Sequence, residues 1–262
     1  MNKLFALTVI AVSAFASICS CRKVEAVPAT ITYSSLGDSI TSPVATGGGL
    51  YVAKFGGYMQ TDMTTAVTNN DMAWGGWYSS DLLNAVQTIP AWQDLISKSN
   101  VVTVYIGTND INNAYWSMYL GTCGGADNQD CLRSEVSIFE SNFGSILTLI
   151  RSLNPSPNTM IRALTVYNPY IASQLLAGDL TYNTYLAQMN NFIYSSAYAH
   201  GALVADVHTE FNGRSGNDDP IAKGYLLPND IHPSPTGFAI ITNILRAVKY
   251  SALDNSMPVT CP

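Results

Sequence analysis

Ala29-Thr30-Ile31-Thr32-Tyr33-Ser34-Ser35-Leu36-Gly37-Asp38-Ser39 is the stretch whose reading decides the fold. Ala29 to Leu36 reads as a β-strand, and Gly37-Asp38-Ser39 turns the chain at its end. Similar apolar runs recur downstream, each followed by a helical segment. Tyr51 to Met63 has helical spacing, and Gly47-Gly48-Gly49 marks a loop before it. Thr65 to Ala73 is a more polar second strand. Ser80 to Ser97 is helical with an interruption at Pro90. Val101 to Ile106 is an almost continuous β-branched and apolar run, as expected of a strand buried on both faces. Ser134 to Leu153 is a helix stopped by Asn154-Pro155, and Met160 to Tyr167 is a fourth strand. Thr181 to Ala199 is a helix ending at His200-Gly201, where Gly takes the left-handed position. Ala202 to Val207 is a fifth strand, and Ser234-Pro235 opens a last helix through Tyr250. Strands that alternate with helices predict an α/β chain: a three-layer α/β/α sandwich around a five-stranded parallel sheet.

The first residues stand outside that pattern. Met1-Asn2-Lys3 is basic, Leu4 to Ile18 is apolar, and Arg22 and Lys23 follow. The run is short of the roughly 20 residues that span a membrane. It has the form of a secretory signal peptide over residues 1–26, cleaved after Val24-Glu25-Ala26. A lipoprotein signal with a lipidated Cys21 is the minor alternative, and a buried N-terminal helix is the bland one. Residues 27–262 then form one domain, exported to the extracellular space or periplasm. No second apolar run is long enough to cross a membrane.

The formal net charge is −6, and charged residues are 11% of the chain, which argues against a nucleic-acid partner. A small-molecule, lipid or glycan partner fits better, and the chain is expected to act as a monomer. Cys123 and Cys131 flank a Gly- and Asp-rich loop and are close enough to pair in an oxidising compartment. Their spacing is wrong for zinc. Cys261 is either a free tail thiol or a bond back to the body. Asn217-Asp218-Asp219-Pro220 lacks the spacing of a calcium loop and reads as a solvated turn.

The chemistry gathers at strand ends, where open α/β sheets build their sites. Ser39 follows the first strand, Gly107-Thr108-Asn109-Asp110 the third, and His232-Pro233-Ser234 precedes the last helix. A serine hydroxyl is a weak nucleophile until a base takes its proton. Of the three histidines, His200 is a helix cap and His208 follows the fifth strand without a pattern. His232, held by Pro233, is the best candidate for the base.

In this combination the chain resembles the SGNH hydrolase superfamily, the GDSL esterases and lipases, over essentially residues 27–262. Leu36-Gly37-Asp38-Ser39-Ile40-Thr41 resembles the first family block, with Ser39 as nucleophile. Ala73-Trp74-Gly75-Gly76-Trp77-Tyr78-Ser79-Ser80-Asp81 resembles the second, with Gly76 in the glycine position and Gly75 the neighbouring alternative. Ile106-Gly107-Thr108-Asn109-Asp110 matches the third through Asn109, and Asn229-Asp230-Ile231-His232-Pro233-Ser234 the last. The resemblance implies a flavodoxin-like fold and a serine ester hydrolase without cofactor or metal. It also implies an oxyanion hole of the Ser39 and Gly76 backbone N–H groups and the Asn109 amide.

One position departs from the family. The usual acid lies three residues before the histidine, where this chain has Asn229; Asp230 lies two before. Asp230 after a small loop shift, Asn229 through its amide oxygen, or a backbone carbonyl can each orient the ring. Asp230 is the preferred reading, and Asp206 is a distant third. The departure keeps open a catalytically weakened lipid- or glycan-binding protein. A carbohydrate O-acetylesterase of the same fold is the other alternative. Trp77, Tyr115 and Tyr170 are candidate substrate-lining residues, with Trp74, Trp116 and Tyr119 nearby in sequence; ordinary packing explains them about as well.

Overall fold

The computed structural model describes residues 28–42, 51–248 and 250. The signal segment, the Gly47–Gly49 loop, Cys21 and Cys261 lie outside the described residues. Five strands form one sheet: β1 (Thr30–Gly37), β2 (Ala66–Ala73), β3 (Val101–Tyr105), β4 (Met160–Leu164) and β5 (Leu203–Ala205). Every pairing is parallel, and the order is β2-β1-β3-β4-β5. Parallel neighbours need crossovers, and these are helical. The helices are α1 (Tyr51–Met63), α2 (Ser79–Thr88), α3 (Pro90–Ser97), α4 (Thr108–Tyr119), α5 (Asp130–Leu153), α6 (Ile171–Ala177), α7 (Thr181–Ala199), α8 (Val207–Asn212) and α9 (Pro235–Ala247).

Side chains alternate across the sheet and build a core on each face. Val102 and Val104 of β3 and Ile161 and Ala163 of β4 pack with Phe139, Phe143, Leu186 and Met189 of α5 and α7. Val101, Tyr105, Met160 and Leu164 point the other way, towards Phe55 of α1 and Phe238 and Ile241 of α9. Each large apolar side chain fully buried this way contributes about 1.5–3 kcal/mol. β3 and β4 are buried throughout, whereas β2 carries Thr68, Asn69, Asn70 and Asp71 and is an edge.

The predicted architecture and strand order along the chain match the structure; several boundaries do not. The segment Ser80–Ser97 is two helices, because Pro90 removes a donor and starts α3. β4 stops at Leu164 rather than Tyr167, and β5 covers Leu203–Ala205 rather than Ala202–Val207. Asp206 ends β5 by capping α8: its carboxylate accepts the Thr209 N–H. α5 starts at Asp130, four residues before the expected Ser134, and α9 ends at Ala247, short of Tyr250. α4, α6 and α8 are helices that the apolar pattern did not announce. Ser234 caps α9 as expected, its hydroxyl accepting from the Gly237 N–H, with Pro235 in the first turn.

Candidate active site

The strand order reverses direction between β1 and β3, and that crevice at the carboxyl ends is where such sheets bind ligands. Gly37 of β1 is level with Ala73 of β2 and Tyr105 of β3. The chain segments carrying Ser39, Gly76 and Asn109 therefore leave three adjacent strands at one edge, with Ser39 on the middle one.

Gly37 makes the turn to Ser39 possible. A Cβ there would lie 2.2 Å from the Tyr105 carbonyl oxygen and 2.4 Å from Thr41 Oγ1. The Asp38 carbonyl then accepts the Thr41 and Ser42 N–H groups at 3.1 and 2.9 Å, and Asp38 Oδ1 accepts the Ile40 N–H at 2.9 Å. Ser39 stands at the apex of this turn, partly exposed between buried neighbours. Burial pushes the Asp38 carboxyl up to about 7; the Ile40 N–H opposes this, and repulsion from Asp110 adds to it.

His232 is delivered by a short hairpin. Leu226 bridges Pro233, the Leu227 N–H donates to the His232 carbonyl at 3.0 Å, and Tyr167 Oη donates to the Ile231 carbonyl. Leu227-Pro228-Asn229-Asp230 closes the tip through Asp230 N–H to Leu227 O at 3.2 Å. Proline second and a residue at φ 56° third is the pattern of a type II turn, and Asn tolerates that φ. The turn carries the Asp230 carboxylate to the ring: Oδ1 is 2.7 Å from His232 Nδ1 and also accepts the Ile231 and His232 backbone N–H groups. Burial raises the Asp230 carboxyl, but these hydrogen bonds from His232 and Ile231 outweigh it and hold it below the usual carboxylate value. A carboxylate only accepts, so Nδ1 carries the ring proton and Nε2 is left as an acceptor. Nε2 lies 2.9 Å from Ser39 Oγ.

Both ring nitrogens are thus engaged, and Asn229 is the residue that forms the turn. The other histidines are elsewhere. His200 Nε2 meets Thr148 Oγ1 and its Nδ1 meets the Ser196 carbonyl, between α5 and α7. His208 sits in α8, with its backbone N–H on Thr165 Oγ1. Asp206 bonds Thr165 and Thr209.

Trp74-Gly75-Gly76-Trp77 is a turn closed by Trp77 N–H to Trp74 O, and tied to β1 by Trp74 N–H to Gly37 O. Gly76 has φ 81°, the left-handed region that favours glycine, and no heavy atom lies within 4 Å of where its Cβ would be. Asn109, in the first turn of α4, donates one amide hydrogen to the Trp77 carbonyl at 2.8 Å. Its second amide hydrogen is available to a ligand.

Asp110 has a place that the sequence reading gave it no role for. Buried, it accepts the Ser79 backbone N–H on both oxygens at 3.0 Å and the Ser79 hydroxyl on Oδ1; Asn142 Nδ2 also reaches that hydroxyl. This clamps the start of α2 to the start of α4 and sets the Gly76–Trp77 turn against Asn109. Its position directly after Asn109 was the available signal.

Of the candidate lining residues, Trp77 packs on Trp92 of α3 with ring centroids 5.5 Å apart. Tyr115 stacks on Tyr170 at 6.1 Å and meets Tyr182 edge-on at 5.1 Å. Cys123 and Cys131 are joined by a disulfide with a Cα–Cα distance of 4.9 Å. Asp218 pairs with Lys223 at 2.7 Å. No helix of the described residues is long and apolar enough to cross a membrane.

A model of the GDSL-like Lipase/Acylhydrolase family matches residues 35–240. The spore germination lipase LipC of Bacillus licheniformis is 26% identical over 235 residues, covering 86% of this chain and 99% of that protein. The structure of a lipase from a goat rumen metagenome superposes with a TM-score of 0.69 at 23% identity, over 86% of this chain and 100% of the other. Axe2, an acetylxylan esterase from Geobacillus stearothermophilus, does so at 0.59 and 18%, over 86% and 94%. At these identities the two structures speak for the fold.

Proposed function

The chain belongs to the GDSL-like lipase/acylhydrolase family and is a carboxylic ester hydrolase; on that premise we propose that it cleaves its substrate through an acyl-enzyme on Ser39. Ser39 Oγ attacks the ester carbonyl carbon as its proton passes to His232 Nε2. The carbonyl electron pair moves onto oxygen. The backbone N–H groups of Ser39 and Gly76 and the Asn109 amide hold that oxyanion, one such donor being worth about 2.7–4 kcal/mol in the transition state. Collapse breaks the bond to the alcohol, which leaves with the proton from His232. Water then gives a proton to His232 and attacks the acyl carbon; collapse breaks the bond to Ser39 Oγ, which takes that proton back from His232 as the acid leaves. Asp230 holds the ring in the tautomer that makes Nε2 the base.

The observation that carries this reading is the unbroken line Ser39 Oγ–His232 Nε2, His232 Nδ1–Asp230 Oδ1, at 2.9 and 2.7 Å. It also supports an active site despite Asn229, the feature that favours a weakened binding protein. The test is hydrolysis of p-nitrophenyl acetate by the purified protein beside Ser39→Ala. Turnover should fall to background in the variant; equal turnover in both would remove Ser39 from the mechanism.

A carbohydrate O-acetylesterase is the second reading, supported by Trp74, which stands exposed beside Gly76 and offers a flat face to a sugar ring. Export is part of the proposal as well, supported by the signal-like residues 1–26 and by the Cys123–Cys131 bond, which an oxidising compartment preserves.

A further inference from the structure

α4 and α6 both begin at the catalytic edge of the sheet, after β3 and β4. They meet through Tyr170, which precedes α6 and touches Tyr115 and Trp116 of α4 with ring centroids 6.1 and 5.9 Å apart. Tyr182 Oη donates to Asn112 Oδ1 at 2.7 Å and fixes the start of α7 to the same place. Around this junction large apolar side chains face water: Leu176 is 90% exposed, Leu120 72%, Tyr119 69%, Trp116 46%, Leu175 46% and Leu180 39%. Exposed apolar residues scattered singly need no account, but a group at one junction does. By the helical rise, Trp116 stands only about 10 Å along α4 from Asn109.

The patch carries no basic group, and its one carboxylate is Asp179, next to Leu180 and near enough to act on Tyr115. Residues 111–126 and 166–178 contain no Lys, Arg, Asp or Glu, in a chain of net charge −6. Anionic headgroups are bound through Lys and Arg, which this surface lacks. Glycans are held by flat rings and hydrogen-bonding groups; the four leucines supply neither. Aromatic and leucine side chains without basic groups suit the boundary layer of a neutral or zwitterionic lipid aggregate.

We propose that the α4–α6 junction is a docking surface that seats the protein on neutral or zwitterionic lipid and turns the mouth of the Ser39 site towards it. The inference rests on the ester-hydrolase reading for its purpose, but not for its test.

The test is flotation of the full chain carrying Ser39→Ala with phosphatidylcholine vesicles, beside the same chain with Leu120→Ser and Leu176→Ser added. Both leucines are on the surface, so the fold should tolerate them. Expected is binding that weakens at least about tenfold in the leucine variant, since each leucine withdrawn from water is worth roughly that factor or more. Phosphatidylglycerol in the vesicles should not strengthen binding. With Ser39 intact, the leucine variant should hydrolyse soluble p-nitrophenyl acetate within about twofold of the unaltered protein. No flotation, flotation indifferent to the leucines, or retention on insoluble xylan instead of vesicles overturns the proposal. Ester turnover without flotation removes the docking surface and leaves the serine reaction. Leucine-dependent flotation of a protein inert on esters does the reverse.

Discussion

At the scale of the residue, the decisive unit is Pro228-Asn229-Asp230. Counting back from His232 puts Asn229 where an acid is expected. The type II turn explains the shift: its third position needs a left-handed residue, and the carboxylate is presented by the next one. The Pro-Asn pair was the legible signal of that turn, but nothing in the spacing showed which side chain reaches Nδ1. The expected outcome is an asymmetry. Asp230→Asn should lower kcat by about 10³–10⁴, because an amide does not fix the ring tautomer as a carboxylate does. Asn229→Gly should keep kcat within a few-fold, because glycine accepts the same φ without strain. Steady-state rates on p-nitrophenyl acetate decide it, and the opposite ranking would return the orienting role to Asn229.

At the scale of the element, the strands and the long helices were legible, and the shorter helices that leave the carboxyl edge of the sheet were not. β3 is an almost continuous apolar run buried throughout, and α7 is a long helix with a recurring buried face, so the burial of both follows their sequence. α4 reads Thr108-Asn109-Asp110-Ile111-Asn112-Asn113, a run poor in helix formers. It is helical because Tyr115 packs on Tyr170 and Tyr182, and because Asp110 bonds the start of α2. Those are tertiary contacts, invisible in a local pattern. The start of α8 is hidden for the same reason: Val207 reads as the end of the fifth strand until the cap of Asp206 to Thr209 is seen. The Asp110 clamp gives a ranking to test. Asp110→Ala removes the acceptor of the buried Ser79 N–H and hydroxyl and should destabilise by about 3 kcal/mol, as hydrogen bonds to charged groups do. Ser79→Ala keeps the backbone bond and should cost less. Turnover should fall in the same order, because the clamp sets the Gly76 turn against Asn109. Denaturant midpoints and kcat for the two variants measure both; a Ser79→Ala variant worse than Asp110→Ala would put the strength of the clamp elsewhere.

At the scale of the whole molecule, a parallel sheet was readable from the alternation of elements, while the order β2-β1-β3-β4-β5 was not, because each crossover can step to either side. That order is what sets Ser39 between the Gly76 and Asn109 segments, and it also gathers acidic groups behind them. Burial pushes Asp38 up to about 7; burial raises Asp110 as well; burial and then repulsion from Asp110 take Glu135 to about 7. A carboxyl raised in the folded state binds its proton more tightly there than in the unfolded chain. Its penalty is absent below the unfolded value near 4, and grows as pH rises to the folded value. Asp62, lowered chiefly by its bond from Arg246, and Asp230 act in the other window: their support is lost only as pH falls below about 4. His208, lowered by burial, opposes the first group by favouring the fold at higher pH. Asp38 is fully buried, and between pH 5 and 8 its penalty grows by on the order of 3 kcal/mol, which outweighs a single partly shifted histidine. The protein should therefore melt higher at pH 5 than at pH 8, by about 5 °C or more for a domain of this size. Asp38→Asn keeps an acceptor for the Ile40 N–H but cannot ionise, so it should shrink that difference. Calorimetric melts of both proteins at the two pH values check this: a higher Tm at pH 8, or a difference untouched by the substitution, would show that Asp38 does not govern the pH response of the fold.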